Sequence, residues 1–204
     1  MRLVLDIKIG RGKMYLFFDT ETTGLPKNWN APVSNSDNWP RLVQIAWLQC
    51  DDSGKKILKQ CHIIKPDNFE IPVNAVEVHG ISNEKAHEVG IPLKKVLSEF
   101  STVLKSSELL IAHNIRFDEK VIGSEFIRTK IKNNLCSINK ICTMQSTTDF
   151  CQIPGNYGYK WPSLPELHQK LFSSTFDNAH NALSDVSACA KCFFELKKRK
   201  IIKI

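Results

Sequence analysis

Apolar residues in this chain fall first into short alternating or continuous runs and later into helix-spaced stripes. Residues 14–18 form an unbroken aromatic and aliphatic run, as expected of a strand buried on both faces. Residues 41–50 and 56–64 alternate about the turn Asp51-Asp52-Ser53-Gly54 and predict a β-hairpin. Residues 66–78 read as an extended loop. A short helix then runs from Ser82 to Gly90, and Pro92 opens a longer one to about Lys105. Residues 108–112 predict a buried strand, and residues 117–130 a helix whose apolar stripe is Val121, Ile122, Phe126 and Ile127. A strand at 139–143, a helical turn to Phe150, a loop at 154–162 and helices at 163–172 and 181–198 complete the chain. A hairpin first and helix-separated strands later imply one α/β domain, a mixed sheet flanked by helices.

Two stretches stand outside this pattern. Leu3, Leu5, Ile7 and Ile9 alternate ahead of Gly10-Arg11-Gly12, so residues 1–13 read as an N-terminal extension and 14–204 as the domain. The connection at 26–40 is rich in Asn, Ser and Pro and carries Trp29 and Trp39. Loops of this length are uncommon unless they are functional or mobile. Packing of its tryptophans on the domain's own surface is the expectation.

Composition sharpens the picture. At 204 residues and 42% hydrophobic, the chain suits a single core. Lys and Arg number 28 against 21 Asp and Glu, a net charge of +7, yet the most suggestive residues are acidic. A basic body around an acidic pocket suits a polyanionic substrate handled through metal ions. No run approaches the ~18 apolar residues of a membrane span, and no signal-peptide pattern is present, so a cytoplasmic location without membrane partners is expected. Seven scattered cysteines read as reduced thiols, and Cys189 and Cys192, despite their C-x-x-C spacing, as helix core.

The chemistry centres on the end of the first strand. Asp19 and Glu21 are two residues apart, so on a strand they point to one face, where a divalent cation would relieve their repulsion. A strand end before a turn would carry the same acids without chemistry. Two later stretches weigh against that: Ala112-His113-Asn114-Ile115-Arg116-Phe117-Asp118, where a buried strand gives way to a helix, and His180-Asn181-Ala182-Leu183-Ser184-Asp185, opening the last helix. Each presents an acid where a helix begins.

Together these stretches resemble the DnaQ-like, or DEDDh, family of 3′→5′ exonucleases. Asp19-x-Glu21-Thr22-Thr23-Gly24 is similar to its first motif, His113-Asn114-x-x-Phe117-Asp118 to its second and His180-x4-Asp185 to its third, while His79-Gly80-Ile81 matches a stretch beside the family's active site. The resemblance implies a ribonuclease-H-like fold with a five-stranded mixed sheet. It implies Asp19, Glu21, Asp118, His180 and Asp185 as catalytic residues, the four acids holding two Mg²⁺ or Mn²⁺ ions and His180 accepting a proton from the attacking water. Thr22, Thr23, Leu25, His79, Asn114 and Phe117 match positions that hold the substrate strand. His113 is expected to be structural, and His62, His87 and His168 surface or packing residues. Tyr157, Tyr159 and Lys160 are candidates for the nucleic-acid backbone.

The Thr22-Thr23-Gly24 form of the first motif is closest to proofreading-type members. The expected substrate is therefore a single-stranded or frayed 3′ end of DNA, in repair or proofreading, with RNA processing as the alternative and a silent nucleic-acid-binding module or an internally cutting nuclease further off. The chain ends soon after its last helix, so a free-standing enzyme is expected, with a polymerase partner docked on a domain face as the other arrangement.

Overall fold

The computed structural model describes residues 12–176 and 181–204, and the segments 1–11 and 177–180, the latter holding His180, lie outside it. Its frame is a five-stranded sheet in the order β3-β2-β1-β4-β5, with β1 Met14–Thr22, β2 Leu42–Asp51, β3 Lys56–Ile63, β4 Leu109–Ala112 and β5 Asn139–Cys142. β1 pairs antiparallel with β2 and parallel with β4, and β4 and β5 are parallel, so the sheet is mixed as expected.

Burial of β1 on both faces follows from its composition. Tyr15 and Phe17 point to one side and meet Phe193 edge-on, with ring centroids 5.7 and 5.3 Å away. Leu16 and Phe18 point to the other, where Phe18 meets Phe100 at 5.6 Å. The first face is covered by α7 Leu164–Phe172 and α8 Ala182–Lys198, the second by α3 Leu93–Lys105 and α4 Ile115–Thr129. These apolar layers, each built around fully buried aromatics, hold the central strand rigidly between them.

Four expectations need correction. Residues 66–78 are not wholly extended: Val73–His79 forms helix α1, which stops at Gly80 in the left-handed conformation. Its β-branched residues disfavour helix, but Ala75 packs into a small cluster with Val43, Ile71, Ile81 and Ala86, and that packing overrides propensity. Residues 154–162 carry a two-stranded ribbon, β6 Pro154–Gly155 with β7 Gly158–Tyr159. Ile127 is 45% exposed rather than part of the α4 stripe, whose buried side is Val121, Ile122 and Phe126. The remaining helices are α2 Asn83–Val89 and, in place of one helical turn, α5 Thr143–Ser146 and α6 Thr148–Cys151.

The long loop at 26–40 packs as a strap along α4. Arg116, Lys120, Ser124 and Arg128, each four residues from the last, form one row on that helix. They donate in turn to the Asn30 side chain and to the carbonyls of Ala31, Val33 and Trp39, with Arg128 also reaching the Ser36 carbonyl. Gly123 gives the strap its closest approach, since a Cβ there would lie 3.1 Å from Val33 Cγ1. Trp39 is buried beneath the strap, while Trp29 stays 45% exposed.

Glu125 ties this arrangement to the sheet. Its Oε1 accepts from the Leu42 amide at 3.0 Å and Arg41 Nε at 3.0 Å and forms an ion pair with Arg128 Nη1 at 2.9 Å, with the Glu125 side chain 1% exposed. Replacing it with alanine strands a buried amide and two guanidinium groups, and the expected loss is roughly 2–4 kcal/mol in chemical denaturation. Glu125→Gln, which still accepts one hydrogen bond, should lose less.

Candidate active site

β1 extends past its parallel neighbour: its pairing with β4 covers Tyr15, Leu16 and Phe17 only, leaving the residues beyond unpaired on that side. Asp19 and Glu21 lie on this overhang, opposite Ala46 and Gln44 of β2, and share the face that Tyr15 and Phe17 present to α8. Asp185 comes from the first turn of α8, whose start is fixed by Asn181: its Oδ1 accepts from the Leu183 amide at 3.1 Å and the Ser184 amide at 3.4 Å. Ligand oxygens of Asp19, Glu21 and Asp185 all lie within 4.8 Å of one another.

Asp118, in the first turn of α4, approaches from the other face and is buried. Its Oδ1 accepts from the Thr20 amide at 3.1 Å and the Thr20 hydroxyl at 2.6 Å. The fourth acid is thus bound to the strand residue between Asp19 and Glu21.

Four carboxylates gathered this closely resist ionisation. Burial, then the charges of Asp118, Asp185 and Glu21, hold Asp19 well above the usual carboxylate range. Burial and the charges of Asp185 and Asp118 push Glu21 up to about 8. Asp118 is pushed up to about 7 by burial, against the lowering effect of its Thr20 hydrogen bonds. Hard oxygen donors from three acids, gathered within 4.8 Å, fit a divalent cation such as Mg²⁺ or Mn²⁺.

The substrate-contact candidates divide by what they touch. Thr22 is buried, and its hydroxyl donates to the Gly24 carbonyl at 2.7 Å. The Thr23 hydroxyl accepts from the Arg41 amide at 2.9 Å while the Thr23 amide donates to the Arg41 carbonyl at 3.0 Å, so both threonines shape the turn after β1. Leu25 stands 73% exposed. Asn114 caps α4 in the left-handed conformation without a side-chain cap bond. Phe117 packs against Trp29 of the strap, centroids 5.8 Å apart. Nδ1 of His79 accepts from the Ile81 amide at 3.1 Å, which leaves its proton on Nε2; burial lowers its pKa, and the Thr22 backbone beside it pulls the other way.

His113 is structural, as expected. Its Nε2 donates to the Pro162 carbonyl at 2.9 Å, so Nδ1 accepts from Thr143 at 3.0 Å, and burial lowers its pKa to about 4. His168 is a packing residue, buried against Phe172 and Phe176. Lys160 pairs with Glu166 at 2.7 Å, which commits its charge to the capping box that starts α7.

A family profile described as Exonuclease (RNase_T) matches residues 16–193. The chain belongs to this exonuclease family. Membership places it among the DnaQ-like 3′→5′ exonucleases, and the match is to the family as a whole rather than to its proofreading-subunit branch. Among solved structures, the zinc-bound complex of E. coli exonuclease I with single-stranded DNA has a TM-score of 0.72 at 21% identity, over 93% of this chain and 41% of that one. E. coli exonuclease I with a dT13 oligonucleotide gives 0.74 at 19% identity over 92% and 42%. Product-bound exonuclease I gives 0.72 at 18% identity over 94% and 45%. At such identity the likeness is one of fold, the ribonuclease-H-like sheet and helices. The chain spans less than half the length of these relatives. No curated protein matches its sequence.

The family's first and third motifs therefore supply the acidic trio, and the second supplies Asp118 through its bond to Thr20. Two residues that sequence reasoning passed over shape the candidate site, Thr20 and Asn181, while Trp29 packs on the domain's own surface, against Phe117, as expected. Only Asn181 carried a readable signal, an Asn directly before an apolar helical run.

The raised carboxylates make cation-free stability fall with pH. Folding favours their protonated forms, so their contribution is complete below pH about 4, the unfolded carboxylate range. It is lost as pH rises through about 7 and 8, the folded values of Asp118 and Glu21. Thermal midpoints measured in chelator should drop across this window, and a divalent cation should restore them. Asp19→Asn should flatten the drop and raise the cation-free midpoint at pH 8, each 1 kcal/mol of relief appearing as about 2–4 °C.

Proposed function

We propose that this domain is a metal-dependent 3′→5′ exonuclease that trims single-stranded or frayed 3′ ends of DNA and releases nucleoside 5′-monophosphates. The observation that carries the reading is the convergence of Asp19, Glu21 and Asp185 within 4.8 Å at the open end of β1, in a chain of the exonuclease family.

Asp19, Glu21 and Asp185 would hold two Mg²⁺ or Mn²⁺ ions, with Asp118 completing the site directly or through water. The chemistry such ions supply when bound is acidification of the attacking water and neutralisation of charge on the leaving 3′ oxygen. His180, assigned from its motif, accepts the proton of that water, a task suited to an imidazole titrating near neutral pH. Asp118, bonded to Thr20, fixes the strand segment that bears Asp19 and Glu21.

Positioning of the 3′ end falls to the surroundings of β1. The turn stiffened by Thr22 and Thr23 presents Leu25 to solvent, where it can wedge against the terminal base. Phe117, backed by Trp29, offers an aromatic surface next to Asp118 in the first turn of α4, and Asn114 and His79, assigned from their motifs, contact the same strand. Stacking on aromatic and aliphatic groups tolerates any base, as a trimming enzyme requires. Repair or proofreading is the setting this reading favours, whether free-standing or beside a polymerase.

Digestion of matched 5′-labelled single-stranded DNA and RNA, with divalent metal or chelator, tests the reading. A metal-dependent ladder shortening from the 3′ end of the DNA is expected, and faster loss of the RNA would move the role to RNA processing. Asp185→Asn should abolish turnover without unfolding the domain, and full activity in that variant would overturn the assignment. His180→Ala should lower the rate by about 10²–10⁴ while sparing Mn²⁺ affinity in calorimetry.

A further inference from the structure

A groove of about 1160 Å³ runs between α8 and the outer part of the hairpin sheet. Its α8 wall is the stripe Ser184, Ser187, Lys191, Phe194 and Lys198, spaced three or four residues apart and spanning about 20 Å of helix. The stripe begins at Ser184, next in sequence to Asp185, so the groove's α8 wall starts in the helical turn that carries one acid of the trio. Its opposite wall is β3, where Lys56 and Lys59 stand opposite Cys50 and Leu48. Leu48 and Cys50 face α8, and strand pairing puts both lysines on that same side.

Charge and floor are complementary to one kind of occupant. Lys56, Lys59 and Lys191 are exposed along the rim together with Lys198, which lies 4.0 Å from Glu195, while Arg199 engages Glu195 at 2.7 Å and Asp52 is the other acid of the lining. Lys191 is fixed in place: its ammonium lies 4.2 Å from the Phe172 ring centroid and 3.3 Å from His168 Nε2. Phe172, Phe176 and Phe194 line the floor and remain part-exposed. Lysines tracking a backbone above aromatic side chains is the construction of a single-strand binding groove.

We infer that this groove carries the single-stranded nucleic acid that lies 5′ of the scissile bond, the lysines meeting its phosphates and the phenylalanines its bases. The inference rests on the exonuclease reading, because a strand whose 3′ end sits at Asp185 has the groove directly before it. An acidic peptide would meet the same lysines, but its binding has no need of continuity with the carboxylate cluster. The groove therefore favours long substrates over short ones.

The test compares the whole chain with its Lys56→Gln/Lys59→Gln variant, and separately with Lys191→Gln, on DNA of about twenty and about three nucleotides. For the double variant, kcat/KM on the long strand should fall on the order of tenfold, and the slope of its logarithm against log salt should shrink by about 0.7 per lysine. Turnover of the short strand should stay unchanged. Equal loss on both lengths, or no loss on either, would overturn the groove while leaving the exonuclease reading intact. If the wild type cleaves neither strand, the exonuclease reading fails, and fluorescence anisotropy of the labelled long strand in chelator still decides the groove. Unchanged anisotropy in the double variant, with lost binding of a peptide of alternating Asp and Leu, would assign the groove to an acidic protein and overturn the strand.

Discussion

Mutual repulsion of carboxylates is the constraint on which the rest of this structure depends. Asp19, Glu21 and Asp185 come within 4.8 Å, and Asp118 adds its charge from the opposite face. No local sequence would choose that arrangement. It is imposed by burying β1 between two apolar layers, so that moving the acids apart would mean opening the core around Phe17, Phe18, Phe100 and Phe193. The helices bring their acids in the first turn, where the helix N-terminus offsets part of the negative charge. A cation then finds ligands already assembled.

Much of this was legible in the chain. The apolar run of β1, the hairpin turn and the helical stripes predicted the mixed sheet because each has a strong period or a strong breaker. The trio was legible only through the motifs, since Asp19 and Asp185 are far apart in sequence and spacing alone cannot show convergence. What escaped depended on tertiary contacts. Helix α1 forms from β-branched residues because Ala75 has a buried niche. Thr20 gains its role only when α4 arrives with Asp118. The strap could not be read because its anchors lie some ninety residues away on α4.

That strap changes how the site's rim should be pictured. Four successive turns of α4 each hold one part of it, and Gly123 lets its backbone settle against the helix. Trp29 is thereby held on Phe117 by a framework rather than by its own packing. The same helix that delivers Asp118 also fixes the aromatic surface beside it. The acid and the aromatic pair thus share one rigid element.

The unequal lengths of β1 and β4 carry one more consequence. Past Phe17 the central strand has no strand neighbour on one side, and the Thr20 amide there has no ladder partner. Asp118 closes that edge by taking the Thr20 amide. The acids are therefore not interchangeable as sites for an inert protein used to trap bound substrate. Loss of Asp19 or Asp185 removes charge from a crowded cluster, whereas loss of Asp118 also uncaps a strand in the middle of the sheet. An Asp118 variant confounds silence with misassembly.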